Sequence, residues 1–257
     1  FIIFANWILP GYDFGNTRNI GEKIKPPFNH LWTYSAKENI ITNPVYYNGI
    51  LIVGTEKEIL AINTRNGKLK WKAKVNGKPS EFIVIKKGKC HLLTDKGVYY
   101  TIDIKNGNLF IKRENLGATR GAVIPYFDKV LYPKGYPYKE FVIEEKGKVH
   151  TIKTLQYIHS MPIFDGDKIY ISSNDGKIYA ISLADYNKLW EFSTNNAFCS
   201  LSPVLSGSFL FFAPGGFDPY VYAVNKETGK LIWKKDLLQD IKRRLKEKDV
   251  HVSFILS

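Results

Sequence analysis

Ala61-Ile62-Asn63-Thr64-Arg65-Asn66-Gly67-Lys68-Leu69-Lys70-Trp71 decides the fold, because the same arrangement returns twice more. Ala180-Ile181-Ser182-Leu183-Ala184-Asp185-Tyr186-Asn187-Lys188-Leu189-Trp190 and Ala223-Val224-Asn225-Lys226-Glu227-Thr228-Gly229-Lys230-Leu231-Ile232-Trp233 keep the Ala-to-Trp spacing of ten. Upstream of each stands Pro-Val or Pro-Ile (Pro44-Val45, Pro162-Ile163, Pro203-Val204), then a turn (Asn48-Gly49, Asp165-Gly166, Ser206-Gly207) and an apolar run. Alternating β-branched and aromatic residues broken by Asn-Gly and Asp-Gly pairs spell short antiparallel strands. In the 159–194 unit these strands are expected over 161–164, 168–172, 177–182 and 188–192. In the last turn, Asn63 or Asn225 can accept from amides ahead of it, while Gly67 or Gly229 takes the left-handed conformation. The Trp then falls on the outermost strand, where a large ring can cover the seam to the next sheet.

Two weaker copies fill the gap. Thr101 to Ile111 keeps the turn, with Thr in the Ala slot and Ile expected in the Trp slot; Phe141 to Thr151 keeps little beyond Gly147-Lys148. The period is about 40 residues, the length of a four-stranded propeller blade. Such a sheet cannot bury its own faces and is stable only against neighbours. The fold class is therefore all-β, a β-propeller of four-stranded antiparallel blades over about 41–75, 80–114, 118–154, 159–194 and 199–235. A sixth blade is expected from the termini. Leu31-Trp32-Thr33-Tyr34-Ser35 reads as an outermost strand, His251 to Leu256 as an innermost one, and residues 1–9 as a possible third. The alternative is a chain cut short of its closing blade. A helix over 236–248 begins at Asp236 as N-cap with Gln239 at the capping-box position, and Leu238, Ile241 and Leu245 recur along one stripe.

Composition narrows function by exclusion. Of 257 residues 44% are hydrophobic, so the chain is globular. Two cysteines, Cys90 and Cys199, build neither a disulfide scaffold nor a thiolate metal cluster. No run approaches the ~18 apolar residues of a membrane-spanning helix. The five histidines show no metal-ligand spacing, and no phosphate loop or nucleophile elbow is present. Thirty-seven Lys and Arg against 24 Asp and Glu give a net charge of +13, dispersed along the chain as in some thermophile proteins. Nucleic acid, which favours a focused basic face, is not the expected partner. The chain opens with Phe1-Ile2-Ile3-Phe4-Ala5 and no initiator methionine. This stretch reads either as an edge strand or as the stub of a signal peptide or membrane anchor, which would place the protein outside the cytoplasm.

The Ala-x-Asn-x-x-x-Gly-x-x-x-Trp unit, from about Trp7 to Trp233, resembles the repeats of the pyrroloquinoline-quinone-type (PQQ-like) β-propellers. Trp7, Gly11, Tyr12, Asp13, Asn16, Thr17 and Arg18 are similar to the opening motif of the quinoprotein dehydrogenases in that superfamily. The resemblance implies a fold shared by dehydrogenases, the bacterial outer-membrane assembly lipoprotein and sensor domains, and the non-enzymatic branch is the expected one. The enzymatic branch implies a vicinal Cys-Cys pair, a calcium site of Glu and Asn, a catalytic Asp and eight blades. Cys90 and Cys199 are not vicinal, and Asp165-Gly166-Asp167 and Asn174-Asp175-Gly176 sit where hairpin turns belong. No catalytic residue, metal ligand, pyrroloquinoline quinone or calcium is carried over.

The expected activity is a non-catalytic interaction or scaffold module binding a protein through its rim. The alternatives are a quinoprotein-type oxidoreductase and a basic surface binding an anionic polymer. Two loops between second and third strands are long and aromatic, Pro133 to Lys139 and Pro214 to Tyr220. Aromatics held by Pro and Gly make good contact anchors, so Tyr136, Tyr138, Phe217, Asp218 and Tyr220 are the candidate binding residues. The competing role for these loops is a plug over the central channel.

Overall fold

The computed structural model describes residues 6–18, 27, 29–194, 199, 201–215, 218–239 and 243. Twenty strands form five four-stranded antiparallel sheets, each running in chain order from inside to outside. Blade 1 contains β1 (Val45–Tyr47), β2 (Ile50–Gly54), β3 (Glu58–Asn63) and β4 (Leu69–Lys74). Blade 2 contains β5 (Val84–Lys86), β6 (Lys89–Leu93), β7 (Tyr99–Asp103) and β8 (Leu109–Arg113). Blade 3 contains β9 (Ile124–Tyr126), β10 (Lys129–Lys134), β11 (Glu140–Glu145) and β12 (Lys148–Lys153). Blade 4 contains β13 (Ile163–Asp165), β14 (Lys168–Ser173), β15 (Lys177–Ser182) and β16 (Lys188–Ser193). Blade 5 contains β17 (Val204–Ser206), β18 (Phe209–Phe212), β19 (Tyr220–Asn225) and β20 (Leu231–Asp236). The strands expected over 159–194 are recovered with shifts of one or two residues.

The middle strands read as continuous apolar runs because both their faces are covered, and Ile52, Ile59, Leu92, Ile102, Leu131 and Ile143 are fully buried. Each contributes about 1.5–3 kcal/mol of burial. Outermost strands such as β12 and β16 alternate exposed and half-buried residues, as sheets with one wet face do.

The loops sort onto two faces. In each of blades 1 and 5 the turn between the third and fourth strands bonds to the hairpin between the first and second (Thr64 N to Gly49 O, 3.0 Å; Lys226 N to Ser208 O, 3.0 Å), which defines a turn face. The loops between second and third strands bond to the linkers between blades (Leu116 N to Gly97 O, 3.0 Å; Thr194 N to Gly176 O, 2.9 Å), which defines the opposite, crossover face.

The repeated turn behaves as its residues require. Asn63 Oδ1 accepts from Arg65 N at 2.9 Å, and Gly67 has φ +68°. The tryptophans cover the seams. Trp71 donates from Nε1 to Ile104 O of blade 2 at 2.8 Å and lies on Gly107, whose missing Cβ would stand 2.8 Å from the indole. Trp190 does the same with Lys226 O (3.0 Å) and Gly229 of blade 5. Trp32 does it with Thr64 O (2.8 Å) and Gly67 of blade 1, so residues 32–36 take the place of an outermost strand before blade 1. Trp233 differs: it is 43% exposed and packs on Phe211 of its own blade, with no turn glycine beneath it among the described residues.

Two expectations change, and a third lies largely outside the described residues. In blade 2 it is Phe110, not Ile111, that stands opposite Thr101, because the bulge of the outermost strand has moved toward Arg113. Both Phe110 and Ile111 are about half exposed, so neither locks a seam. Residues 7–9 form no third strand of a closing sheet; they lie on the propeller axis. The helix begins at Leu237, with Asp236 Oδ1 accepting from Gln239 N at 2.9 Å as expected, but Ile241, Leu245 and the innermost strand proposed over His251 to Leu256 fall outside the described residues.

Candidate interaction surface

The axis is occupied by the chain's own residues 6–18. Carbonyls of Trp7, Ile8, Phe14 and Gly15 accept from Tyr46 N (2.8 Å), Ile85 N (2.6 Å), Phe164 N (2.8 Å) and Leu205 N (3.0 Å). These donors are the middle residues of β1, β5, β13 and β17, each an innermost strand with one edge unpaired by its own sheet. The middle residue of β9 is Pro125, which has no N–H; there the Phe14 ring packs edge-on against Tyr126 at 5.0 Å. The strap therefore touches all five blades. Leu9 at its centre is 1% exposed within a cluster that includes Met161, Ile124 and Ile171. Its tight turn is held by Arg18 N to Gly11 O at 2.9 Å and by the Asp13 carboxylate, which accepts from Thr17. A side chain at Gly11 would collide with Asn16. The residues similar to a dehydrogenase opening motif thus form the strap.

On the crossover face the Pro133 to Lys139 loop is fastened to the linker between blades 2 and 3. Gly135 approaches the linker so closely that a Cβ would lie 1.7 Å from Ala118 O, and Gly117 takes φ +76° against Tyr136 O. This contact lets Tyr136 and Ala118 exchange both backbone hydrogen bonds (3.0 and 3.1 Å). The loop backbone is fixed while its side chains stay out: Tyr136 is 66% and Tyr138 41% exposed. Lys134 sits 4.9 Å above the Tyr138 ring and pairs with Glu140 at 3.2 Å.

The linker from blade 3 to blade 4 continues this surface. Tyr157 meets Tyr136 edge-on at 6.3 Å and stacks parallel to His159 at 6.3 Å. The Lys139 ammonium lies 5.9 Å from the Tyr157 ring. His159 is held below its ordinary value by burial and then by the charge of Arg120, and its Nδ1 faces Asn174 Nδ2 at 3.2 Å. Leu155 is exposed beside these residues on the same linker.

The candidate positions in blade 5 take other roles. Asp218 is buried; its oxygens accept from Tyr220 N (3.1 Å) and Tyr222 OH (2.8 Å), so it holds its own loop. Asp175 does the same in blade 4 for Lys177 N (3.1 Å) and Tyr179 OH (2.6 Å). Tyr220 is half-buried under Lys234, whose ammonium is 4.5 Å from its ring. Phe217 lies outside the described residues. Tyr136 and Tyr138 therefore share their surface with Tyr157, His159 and Arg120, which stand on interblade linkers and not on the long loops between second and third strands.

Burial pushes the Cys90 thiol far up and the Cys199 thiol up to about 12, which keeps both as inert thiols. No three His, Cys, Asp or Glu side chains converge in a metal-holding group among the described residues. Leu9 fills the axis, and Cys90 and Cys199 are both free and buried.

Comparison with known proteins agrees with this geometry. The sequence matches the family of the outer membrane protein assembly factor BamB over residues 29–155 and 175–252. The chain belongs to the BamB family. A search of curated protein sequences returns no match. Among solved structures it is similar to BamB from Moraxella catarrhalis, with TM-score 0.64 and 16% identity over 79% of this chain and 66% of that one. It is also similar to the quinohemoprotein alcohol dehydrogenase from Comamonas testosteroni, with TM-score 0.76 and 14% identity over 90% of this chain and 49% of that one. A europium-containing methanol dehydrogenase gives TM-score 0.74 and 13% identity over 91% and 58%. The chain thus spans half to two-thirds of the length of these structures. At such identities they share its fold, and fold does not carry function. No helix among the described residues is long and apolar enough to cross a membrane.

Proposed function

We propose that this member of the BamB family is a non-catalytic interaction module acting outside the cytoplasm, with the crossover-face rim of blades 3 and 4 as its contact surface for a protein partner. The observation that carries this reading is Tyr136, two-thirds exposed on a loop whose backbone is fixed by Gly135 and Gly117. A large ring presented without flexibility gives up little entropy on contact and is the kind of anchor that dominates interfaces. The family match, whose description names an assembly factor, supports a protein partner and the compartment. The test places a photo-crosslinking phenylalanine derivative at Tyr136 and, as control, at Lys70 on an outermost strand. Adducts with one partner from position 136 and none from position 70 support the reading, and the reverse pattern sinks it. The variant pair Tyr136→Ala and Tyr138→Ala should weaken that capture while changing stability by less than about 0.5 kcal/mol.

A second reading is a quinoprotein-type oxidoreductase, after the two dehydrogenases that have this fold. Incubation with pyrroloquinoline quinone and calcium separates the two: a protein-bound chromophore after desalting would support the enzyme.

A further inference from the structure

We infer that the rim between blades 3 and 4 recognises an acidic segment of its protein partner; this deepens the reading above and rests on it. The sign of the surface carries the inference. The loop 134–140, the linker 154–162 and the loop 174–176 contain only two carboxylates, Glu140 and Asp175. Both are engaged: Glu140 with Lys134, and Asp175 with Tyr179 OH and the amides of Leu155 and Lys177. The cations around them are not matched. Arg120, Lys139 and Lys153 are exposed and enter no ion pair among the described residues, and Lys139 leans on the Tyr157 ring instead.

Elsewhere on this surface Lys57, Lys72, Lys78 and Arg113 each pair with a carboxylate. Here Lys139 and Arg120 stand beside an aromatic platform made of Tyr136, Tyr157 and His159, flanked by Leu155 at 66% exposure, with Lys153 on the adjoining strand. An extended peptide with alternating acidic and apolar or aromatic side chains would place carboxylates on the cations and rings on the platform. Charge complementarity of this kind sets partner choice and association rate. A single-stranded nucleic acid also combines negative charge with stacking. It is disfavoured because three cations do not form the continuous backbone-tracking groove that such a ligand uses.

The test uses the full chain and three fluorescein-labelled probes. These are a short peptide alternating Glu with Phe, its Lys-for-Glu counterpart, and an oligothymidylate of similar length. Fluorescence anisotropy at moderate salt should show the acidic peptide binding at least about tenfold tighter than either other probe. Reversing Arg120 and Lys139 together (R120E/K139E) should remove about tenfold of that affinity, while K105E on the turn face leaves it unchanged. Tyr157→Ala should weaken the acidic peptide and leave the melting temperature within a few degrees. Equal binding of both peptides, thymidylate binding as tight as the acidic peptide, or indifference to R120E/K139E would each overturn the inference. Should crosslinks from position 136 persist alongside any of those results, the rim stands as the contact surface and only its acidic specificity falls. Should the crosslinks also be missing, both readings fall.

Discussion

The seam between blades 1 and 2 and the seam between blades 2 and 3 solve the same problem with different chemistry. At the first, Trp71 lies flat on Gly107 and donates to Ile104 O. At the second no indole is present. Arg113 of β8 gives two hydrogen bonds of 3.1 Å to the Glu144 carboxylate of β11, and Tyr132 OH adds a third at 2.8 Å. Glu144 holds the Arg113 guanidinium above its ordinary value, and burial followed by the bond to Glu144 pushes the Tyr132 hydroxyl up. The first seam gains from area removed from water and is indifferent to pH and salt; the second is directional and charged. The sequence pattern is therefore sharp where the seam is apolar, because a flat ring demands a glycine, and blurred where it is polar.

The largest expected effect isolates the indole. Gly107 and Gly147 have nearly the same backbone, φ +78° and +82°, so a methyl group at either forces a left-handed alanine at a cost of about 1–2 kcal/mol. At Gly147 nothing stands within 4 Å of the new atom, whereas at Gly107 it meets the Trp71 ring at 2.8 Å. Gly107→Ala should therefore lose about 2 kcal/mol more than Gly147→Ala, from displaced ring packing and the strained Nε1 bond. Equal midpoint shifts in paired denaturant titrations would show that the indole does not lock the seam.

The next effect tests whether blade 2, beside the polar seam, is the one that titrates. His91 faces Tyr99 OH at 2.7 Å from Nδ1, and Tyr99 in turn packs 6.5 Å from Tyr132. Burial, followed by the charges of Lys86, Lys89 and Lys112, pulls its pKa from 6.5 down to about 4. The neutral ring is the folded form, so the unfolded chain takes up a proton before the native chain does. Stability from His91 is complete above pH 6.5 and is lost as pH falls through that window toward 4, by up to about 3 kcal/mol. In His91→Gln the slope of stability against pH between 6.5 and 4 should flatten. An unchanged slope would place the titration elsewhere.

How much of this was legible depends on where the repeat kept its length. Blades 1, 4 and 5 were readable because the Ala-to-Trp spacing of ten preserves the turn that aligns ring and slot. Blade 3 was marked by little beyond Gly147-Lys148, because its β11–β12 connection is a two-residue hairpin, Lys146-Gly147, with φ +49° and +82°. His150 consequently reaches the Trp slot opposite Ile143, at a spacing of seven instead of ten. In blade 2 the turn survives but the bulge has moved, which put Ile111 one residue away from the slot that Phe110 holds. The axial strap carried one unused signal: Pro125 replaces an amide at the inner-strand position where the other four blades donate to it. The rim surface was half legible. Pro and Gly marked the loop of Tyr136, but Tyr157, His159 and Arg120 sit in linkers whose convergence is a fact of the tertiary fold.

The smallest effect concerns the seam between blades 3 and 4, which replaces the indole-on-glycine pair by His150 stacked on Tyr186 at 3.8 Å and 22°. Tyr186 occupies the turn position of Gly67 with φ +62°, and its hydroxyl donates to Glu145, which also receives the Lys129 ammonium. The Lys129 bond, then the Tyr186 bond, holds the Glu145 carboxyl down at about 2. Tyr186→Gly relieves about 1–2 kcal/mol of left-handed strain and loses a ring stack of about 0.5–1.5 kcal/mol together with one partly buried hydrogen bond. The two sides offset, so the single variant should move stability by less than about 0.5 kcal/mol. Adding His150→Trp then supplies the ring that a turn glycine accepts, and the double variant should be more stable than Tyr186→Gly alone by about 1 kcal/mol. If the indole gives no gain over histidine on that glycine, the pairing seen at Gly107 and Gly229 depends on the longer turn and not on the glycine itself.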